Sequence, residues 1–278
     1  MSNFARDPLS IGDVVQATGL TEATLRAWER RYDFPQPQRE PSGHRRYAAE
    51  EVERIVRVVA ERERGIALPV AIERARLAPP PVPSLFAQLR KRRPDLQPMT
   101  VRKRHLVPLA RAIEDESAAR AERSLLIGSF QRERYYRQSE ARWRELSEGS
   151  ECAFVFADFG RQSKGAPVEL PVDRSDPVAR EWALVCAAPE YGACMVAWEP
   201  PGRTRRGDAR REFELLLSVE PAVVREAAET AAALAAPIAP EVGERARSYL
   251  EQLVPPRAET QLRLSSAITS RLLAALRD

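Results

Sequence analysis

Four basic or protonatable side chains crowd one short stretch, REPSGHRRY (39–47): Arg39, His44, Arg45 and Arg46. With Pro41-Ser42-Gly43 as a tip, the stretch reads as a small hairpin. Cations on such a hairpin can bind the phosphate backbone of DNA or enter a narrow minor groove. Taken singly, an arginine is more often a solvated surface charge; four such groups converging on one hairpin carry the reading. A second set precedes them in TEATLRAWERRY (21–32). There Glu22, Ala23, Thr24, Arg26 and Arg30 fall away from Leu25 and Trp28, which share one face at i, i+3 spacing.

These residues need a scaffold, and the flanking sequence supplies one. Residues 1–9 read as a loose terminus. Ser10 with Asp13 three residues later is a capping-box-like start, and Ile11, Val14 and Val15 give a short helix an apolar side. Thr18-Gly19-Leu20 is a turn, with Gly19 supplying backbone freedom. Thr21 caps a second helix that runs to about Arg31. Two short helices joined by a Gly-containing turn form a helix-turn-helix pattern. Phe34-Pro35-Gln36-Pro37 cannot continue the helix. After the hairpin, Glu50–Glu63 is a helix with Val52, Ile55, Val56 and Val59 at helical spacing. Gly65 ends it, and Leu68-Pro69 opens a fourth helix bearing Val70, Ile72 and Ala75.

Composition narrows the function classes. The chain has 278 residues, 44% of them apolar, enough for two ordinary domains with packed cores. No run approaches the roughly 18 apolar residues of a membrane span. MSNFARDPLS carries no apolar segment of the kind a secretory signal needs. Cys152, Cys186 and Cys194 are odd in number and lack CxxC spacing, which argues against a disulfide framework and a zinc site. A cytoplasmic, nucleoid-associated protein is expected. Residues 1–110 hold 20 Lys+Arg against 13 Asp+Glu, a net +7, and residues 111–278 hold 24 against 27, a net −3. A GC-rich genome explains arginine over lysine; the asymmetry suggests that the first part meets a polyanion. The chain is not expected to be an enzyme. Its only histidines are His44 and His105, and it has no nucleophile elbow, phosphate loop or HExxH. Asp158 with Glu181 could form a carboxylate pair, and Cys186 with Cys194 could face each other across a hairpin as a redox switch. Ordinary acids and inert buried thiols are the stronger readings. No metal site and no cofactor are predicted.

The spacing implies four regions: a helix-turn-helix domain at 8–77, a Pro-rich and basic linker at 78–97, a second domain at 98–236 and a helical tail at 237–278. LAPPPVP (77–83) marks the first boundary. The clusters Arg90-Lys91-Arg92-Arg93 and Arg102-Lys103-Arg104 either extend a DNA footprint or are solvated helix faces. The second opens a helix to about Arg120. Strands are expected at Leu125–Phe130, Cys152–Phe159, Glu181–Ala188, Tyr191–Trp198 and Phe213–Val219. Helices are expected at Gln131–Leu146 and Pro221–Ala235. The fold class is thus α+β multidomain: a winged helix-turn-helix, an α/β domain with a mixed sheet, and a helical tail. Phe130, Tyr135, Tyr136, Trp143, Trp182 and Trp198 could line a pocket for a flat ligand, with Arg132 or Arg134 binding an anion, although an ordinary aromatic core and a solvated helix face explain the same residues. The tail splits at Pro255-Pro256, and Leu264, Ile268, Leu272, Ala275 and Leu276 form a stripe that needs a partner, either its own domain or a second chain. It is the favoured dimerisation element.

Two resemblances sharpen these expectations. Residues 10–76, through TEATLRAWERRY, RxPSGHRRY and the helix after it, resemble the winged helix-turn-helix of bacterial MerR-family transcription regulators. The likeness implies that Thr21 to Arg26 enter the major groove, with Arg26 a base or phosphate contact. It implies further that Trp28 supports the phosphate approach, that His44 and Arg45 lie near the minor groove, and that Arg46 and Tyr47 anchor the hairpin. The region 98–236 is similar to the DICT sensory domain through ARAIEDE (110–116), GSFQRERYYR (128–137), VFADF (155–159), REWALVC (180–186) and FELLLSVEPAVVREA (213–227). That likeness implies a sensor with an unidentified small-molecule ligand. Together they imply a regulator that binds double-stranded DNA as a homodimer on an inverted repeat, with RNA polymerase or a signalling protein as candidate further partners and no membrane. The alternative is a DNA-binding architectural protein whose second domain mediates protein contacts.

Overall fold

The computed structural model describes residues 9–40, 42–77, 83–120, 122–200 and 208–275. Residues 1–8 of the expected terminus, the tip residue Pro41, most of the Pro-rich stretch and Leu276 of the tail stripe lie outside the described residues. The chain divides into two units, residues up to 81 with 175–177, and the remainder.

In the first unit, β1 (Leu9–Ser10) leads into α1 (Ile11–Thr18), followed by α2 (Glu22–Tyr32), β2 (Gln38–Arg39), β3 (Arg45–Tyr47), α3 (Ala49–Glu63) and α4 (Leu68–Leu77). The expected capping box forms: Asp13 N–H donates to Ser10 Oγ at 3.3 Å, and Ser10 N–H donates to the Asp13 carboxylate at 2.8 Å. Gly19 closes α1 in the left-handed region at φ 71°, which a side chain would disfavour. Thr21 Oγ1 then accepts from Thr24 N–H at 3.1 Å to start α2. Ala48 precedes α3 without a side-chain cap. The hairpin gains a third strand, β1, because Leu9 and Ser10 pair antiparallel with Tyr47 and Arg46; the end of the expected loose terminus is therefore ordered by β3. Val14, Leu25, Trp28, Phe34, Tyr47, Ile55, Val58 and Ile72 fill the core.

The second unit is a seven-stranded sheet covered on both faces. It contains α5 (Leu85–Arg92), β4 (Met99–Arg102), α6 (Lys103–Arg120), β5 (Ser124–Ser129), α7 (Glu133–Arg137), α8 (Glu140–Glu148), β6 (Ser150–Ala157), β7 (Val168–Pro171), β8 (Glu181–Ala188), β9 (Tyr191–Trp198), β10 (Glu212–Ser218), α9 (Pro221–Ala235), α10 (Pro240–Gln252) and α11 (Ala258–Ala275). The strand order is β4-β10-β9-β8-β5-β6-β7. The β5–β6 and β6–β7 pairs are parallel and the others antiparallel. Strands buried on both faces read as continuous apolar runs, which is why CAFVFA and ALVCAA lack clean alternation. One face packs Ile127, Phe154, Phe156, Val185 and Val196 against α5, α9 and α10. The other packs Leu126, Val155, Leu184, Met195 and Phe213 with side chains of α6, α8 and α11.

Three expectations are corrected, and one open alternative is narrowed. Residues 85–92 are not linker: Leu85, Phe86 and Leu89 are buried in the first of these faces, so apolar burial, not the flanking prolines and arginines, sets the boundary. The strand β4 was not expected; it is short and exposed at Met99, Thr100 and Arg102, as suits an edge strand. The helix expected over 131–146 is two, α7 and α8, with Gln138 and Ser139 between them. Of the two partners expected for the tail stripe, its own domain covers the first part. Leu264 and Ile268 are buried in the second face, and Gln261 Nε2 donates to Val219 O at 2.6 Å. Leu264→Ala is expected to cost about 2–5 kcal/mol and to lower the melting temperature without changing the mass in light scattering. A halved mass would return the stripe to an interface between chains.

One close approach fixes α8 on the sheet. A Cβ on Gly128 would stand 2.5 Å from a ring carbon of Trp143, and Trp143 is 1% exposed. Gly128→Ala is therefore expected to destabilise by about 1–3 kcal/mol through overpacking, read as a lower melting temperature. An unshifted melt would show that the indole can move aside.

Candidate functional site

The basic hairpin is built against α2 through one carboxylate. Arg45 Nε donates to Glu29 Oε2 at 2.8 Å and its Nη2 to Glu29 Oε1 at 3.2 Å, while Arg39 Nη2 donates to the same Oε1 at 3.1 Å. The Arg45–Glu29 pair is largely shielded, at 22% and 18% side-chain exposure. The hydrogen bond from Arg45 holds the Glu29 carboxyl below its usual range, and Glu29 raises the Arg45 guanidinium in return. Arg46 Nε donates to Glu40 at 2.8 Å within the hairpin, and this bond lowers the Glu40 carboxyl. Glu29 was missed in the sequence; only its position within the WERR run, beside the cations it organises, could have pointed to it.

The individual residues then separate by role. Thr21 and Glu22 are exposed and Thr24 half-buried at the start of α2. Arg26 donates to Glu22 at 2.9 Å, one turn away, with both side chains 51% exposed; such a pair is worth little and yields readily to a phosphate. Arg30, Arg39 and His44 are exposed. Trp28 and Tyr47 are core residues, Trp28 stacking on Phe34 at 6.4 Å. Burial raises the Tyr47 hydroxyl; both residues serve the packing of the unit. The charge asymmetry also has a different seat. Residues 1–77 hold 13 Lys+Arg against 12 Asp+Glu, net +1, whereas residues 78–110 hold seven against one, net +6. The described part of that second segment is α5, β4 and the start of α6, all in the second unit. The cations of the hairpin therefore stand out by local patterning rather than by net charge.

Of the ligand candidates, the structure brings Phe130, Tyr135, Trp182, Arg132 and Arg134 to the walls of two adjoining hollows. A pocket of about 200 Å³ is lined by Phe130, Tyr135 and Trp182, with Lys103, Val107 and Glu114 of α6. A neighbouring cleft of about 390 Å³ is lined by Arg132, Arg134, Arg174, Arg180 and Arg211, with Glu199 and Asp208. Gln131 and Tyr135 belong to both. Tyr136 and Trp143 are instead buried core residues, in edge-on contact with Phe130 at 5.3 and 5.4 Å. Trp198 stacks on Phe86 at 5.9 Å beneath α5, on the opposite face. Gln131, Arg180 and Arg211 were not among the ligand candidates of the sequence, and Lys103 stood there only as part of the basic cluster 102–104.

The remaining chemical candidates come apart. Cys186 and Cys194 do not face each other: Cys186 pairs with Ala193 and Cys194 with Val185, and their side chains lie on opposite faces. Burial pushes their thiols up to about 11 and about 12, so thiolates are scarce. Asp158 accepts from Glu133 N–H and Arg174, while Glu181 accepts from Leu85 and Phe86 N–H; they form no catalytic pair. Among the described residues no group of His, Cys, Asp and Glu could hold a metal ion, and no helix is long and apolar enough to cross a membrane.

Comparison with known families matches this division. Residues 9–76 match the MerR HTH family regulatory proteins. Residues 83–200 match DICT, the sensory domain in diguanylate cyclases and two-component systems. The chain joins a MerR-family helix-turn-helix to a DICT domain. The DICT match begins at 83, before α5, as the burial of Leu85 and Phe86 requires. A curated relative, the HTH-type transcriptional repressor CarA of Myxococcus xanthus, is 43% identical over 86 residues. That match spans 30% of this chain and 30% of the relative's length.

Proposed function

We propose that the chain is a cytoplasmic, sequence-specific DNA-binding transcription regulator whose MerR-type unit reads DNA and whose DICT unit receives a signal. The observation that carries the reading is the Glu29 anchor, which ties the hairpin bearing Arg39 and His44 to α2, the helix that bears Arg26 and Arg30. In a helix-turn-helix the second helix enters the major groove and the flanking cations meet phosphates. Thr21, Thr24 and Arg26 at the start of α2 are the proposed groove contacts, and Arg39, His44 and Arg46 the proposed backbone contacts. Arg45 acts by holding the hairpin.

Two copies acting on an inverted repeat complete the proposal, with half-sites about 34 Å or a multiple of this apart. The regulatory direction of the Myxococcus relative, repression, is the starting expectation. Footprinting the purified chain on the DNA upstream of its own gene tests the reading. Protection of an inverted repeat supports it; uniform, sequence-independent protection would leave only an architectural DNA-binding protein.

A further inference from the structure

The two adjoining hollows of the DICT unit have complementary chemistry. The smaller is walled by the rings of Phe130, Tyr135 and Trp182 and by Val107 and Ala110. Its charges are engaged: Glu114 accepts from Arg142 at 2.6 Å and from Arg111 at 3.2 Å, and Lys103 donates to Asp208. A flat apolar ring suits the remaining space. The larger hollow is different. Its acids are matched, Glu199 by Arg211 and Gln131, and Asp208 by Lys103 and Arg211. Three of its guanidinium groups are not. Arg132 donates to the backbone carbonyl of Gln131, Arg134 to the Tyr135 hydroxyl and Arg180 to the backbone carbonyl of Glu199, and among the described residues none of the three forms an ion pair with a carboxylate. The excess charge of this hollow is therefore positive and converges from three segments: before α7, within α7, and just before β8.

We propose that the paired hollows bind one ligand of the nucleoside-monophosphate class, its planar heteroaromatic ring between Phe130, Tyr135 and Trp182 and its phosphate on Arg132, Arg134 and Arg180. The proposal rests on the reading of the DICT unit as a sensor. Tyr135, common to both walls, is the hinge of the argument. Lys103 Nζ lies 4.7 Å and Arg134 Cζ 4.9 Å from its ring centroid, so the ring edge of one hollow is continuous with the cationic field of the other. The hydrogen bond from Arg134 and the charges of Arg211 and Lys103 lower the Tyr135 hydroxyl, as a positive field requires. Arg180 is lowered by burial and by repulsion from Arg132 and Arg211, against the opposing pull of Glu199; an anion there offsets the part that Glu199 leaves. Three converging guanidinium groups match the three terminal oxygens of a phosphate better than the two of a carboxylate. At about 200 and 390 Å³ the hollows together fall within the roughly 300–1,000 Å³ of small-molecule sites.

The test is titration calorimetry on the full chain with AMP and GMP, with adenosine as the ring-only probe and inorganic phosphate as the anion-only probe. At least one monophosphate should bind about tenfold or more tighter than either fragment, the gain of one or two charge-assisted hydrogen bonds. Arg132→Ala with Arg134→Ala, at positions that pair with no carboxylate, should reduce that affinity to the level of adenosine while the melting temperature holds. Equal binding of adenosine and AMP, equal binding of phosphate and AMP, or an unaffected double variant overturns the proposal. DNA binding is measured on the same preparation by gel shift. Ligand failure with an intact shift defeats this inference alone, and a lost shift with intact ligand binding defeats the regulator reading alone.

Discussion

Arg45→Ala combined with Arg46→Ala should weaken operator binding by about 10–100-fold, the worth of one to two charge-assisted contacts. The two halves of the double variant act differently, and their difference is the informative part. Arg46 pairs with Glu40 at 36% and 38% exposure and can exchange that partner for a phosphate. Losing it should shrink the salt slope of binding by about one unit. Arg45 is held by both oxygens of Glu29. Losing it detaches the hairpin from α2 and leaves a carboxylate with Arg39 alone beside the DNA, so affinity falls with little change in slope. Glu29→Gln separates anchor from contact. If Arg45 anchors, Glu29→Gln weakens specific binding as Arg45→Ala does. If Arg45 only reads DNA, removing the competing carboxylate strengthens binding. Unchanged gel shifts for the double variant would remove the hairpin from the interface.

How much of this was legible depends on whether the determining force was local. The first unit was readable almost to the residue because its signals are short-range: the Ser10–Asp13 box, Gly19, the Thr21 cap and the proline stop are all settled within a few residues. The extra strand β1 escaped because its partner, Tyr47, is 38 positions away. The central strands β8 and β9 and the helix α9 were legible with their bounds, since β-branched and apolar runs ended by Pro-Glu or begun by Pro have few other solutions. The position of α5 was not legible. Its basic last turn, Arg90-Lys91-Arg92, resembles the surrounding linker, and only the placement of Leu85, Phe86 and Leu89 under the sheet reveals it as core. The ligand candidates divide for the same reason. Aromatic type is visible in a sequence, but the face a ring occupies is not. Trp182 and Trp198, paired with neighbouring positions across β8 and β9, end on opposite sides of one sheet. The tail stripe was correctly apolar, and its partner proved to be the chain's own α6 and β9. Truncating near residue 236 would therefore expose a core face, and a change in mass after truncation would report that damage rather than dimerisation.

The largest stability effect is expected at Glu181, the first residue of β8 and fully buried. Its Oε2 accepts from Leu85 N–H at 3.0 Å, its Oε1 accepts from Phe86 N–H at 2.9 Å, and Ser84 Oγ bonds to the same oxygen. The side chain thus closes the start of α5, where backbone donors have no helical partner and the helix dipole favours a carboxyl group. Glu181→Leu leaves two buried N–H groups without acceptors at about 1–3 kcal/mol each. The expected fall in melting temperature is roughly 4–24 °C, at about 2–4 °C per kcal/mol for a unit of this size. Glu181→Gln is the subtler probe, because burial pushes the Glu181 carboxyl up to about 8 from 4.5, against the pull of its hydrogen bonds. Between those values the folded chain keeps a proton that the unfolded chain has released. Stability from this group is therefore complete below about pH 4.5 and declines as pH rises towards about 8. The wild-type melting temperature should fall between pH 6 and pH 8.5 by more than that of Glu181→Gln, whose amide does not titrate. Parallel pH profiles for the two proteins would mean that Glu181 stays ionised, its two backbone donors and Ser84 outweighing the cost of burial. In that case Glu181→Gln should lower stability by a constant amount at every pH, because an amide replaces one acceptor oxygen with a donor facing an N–H group.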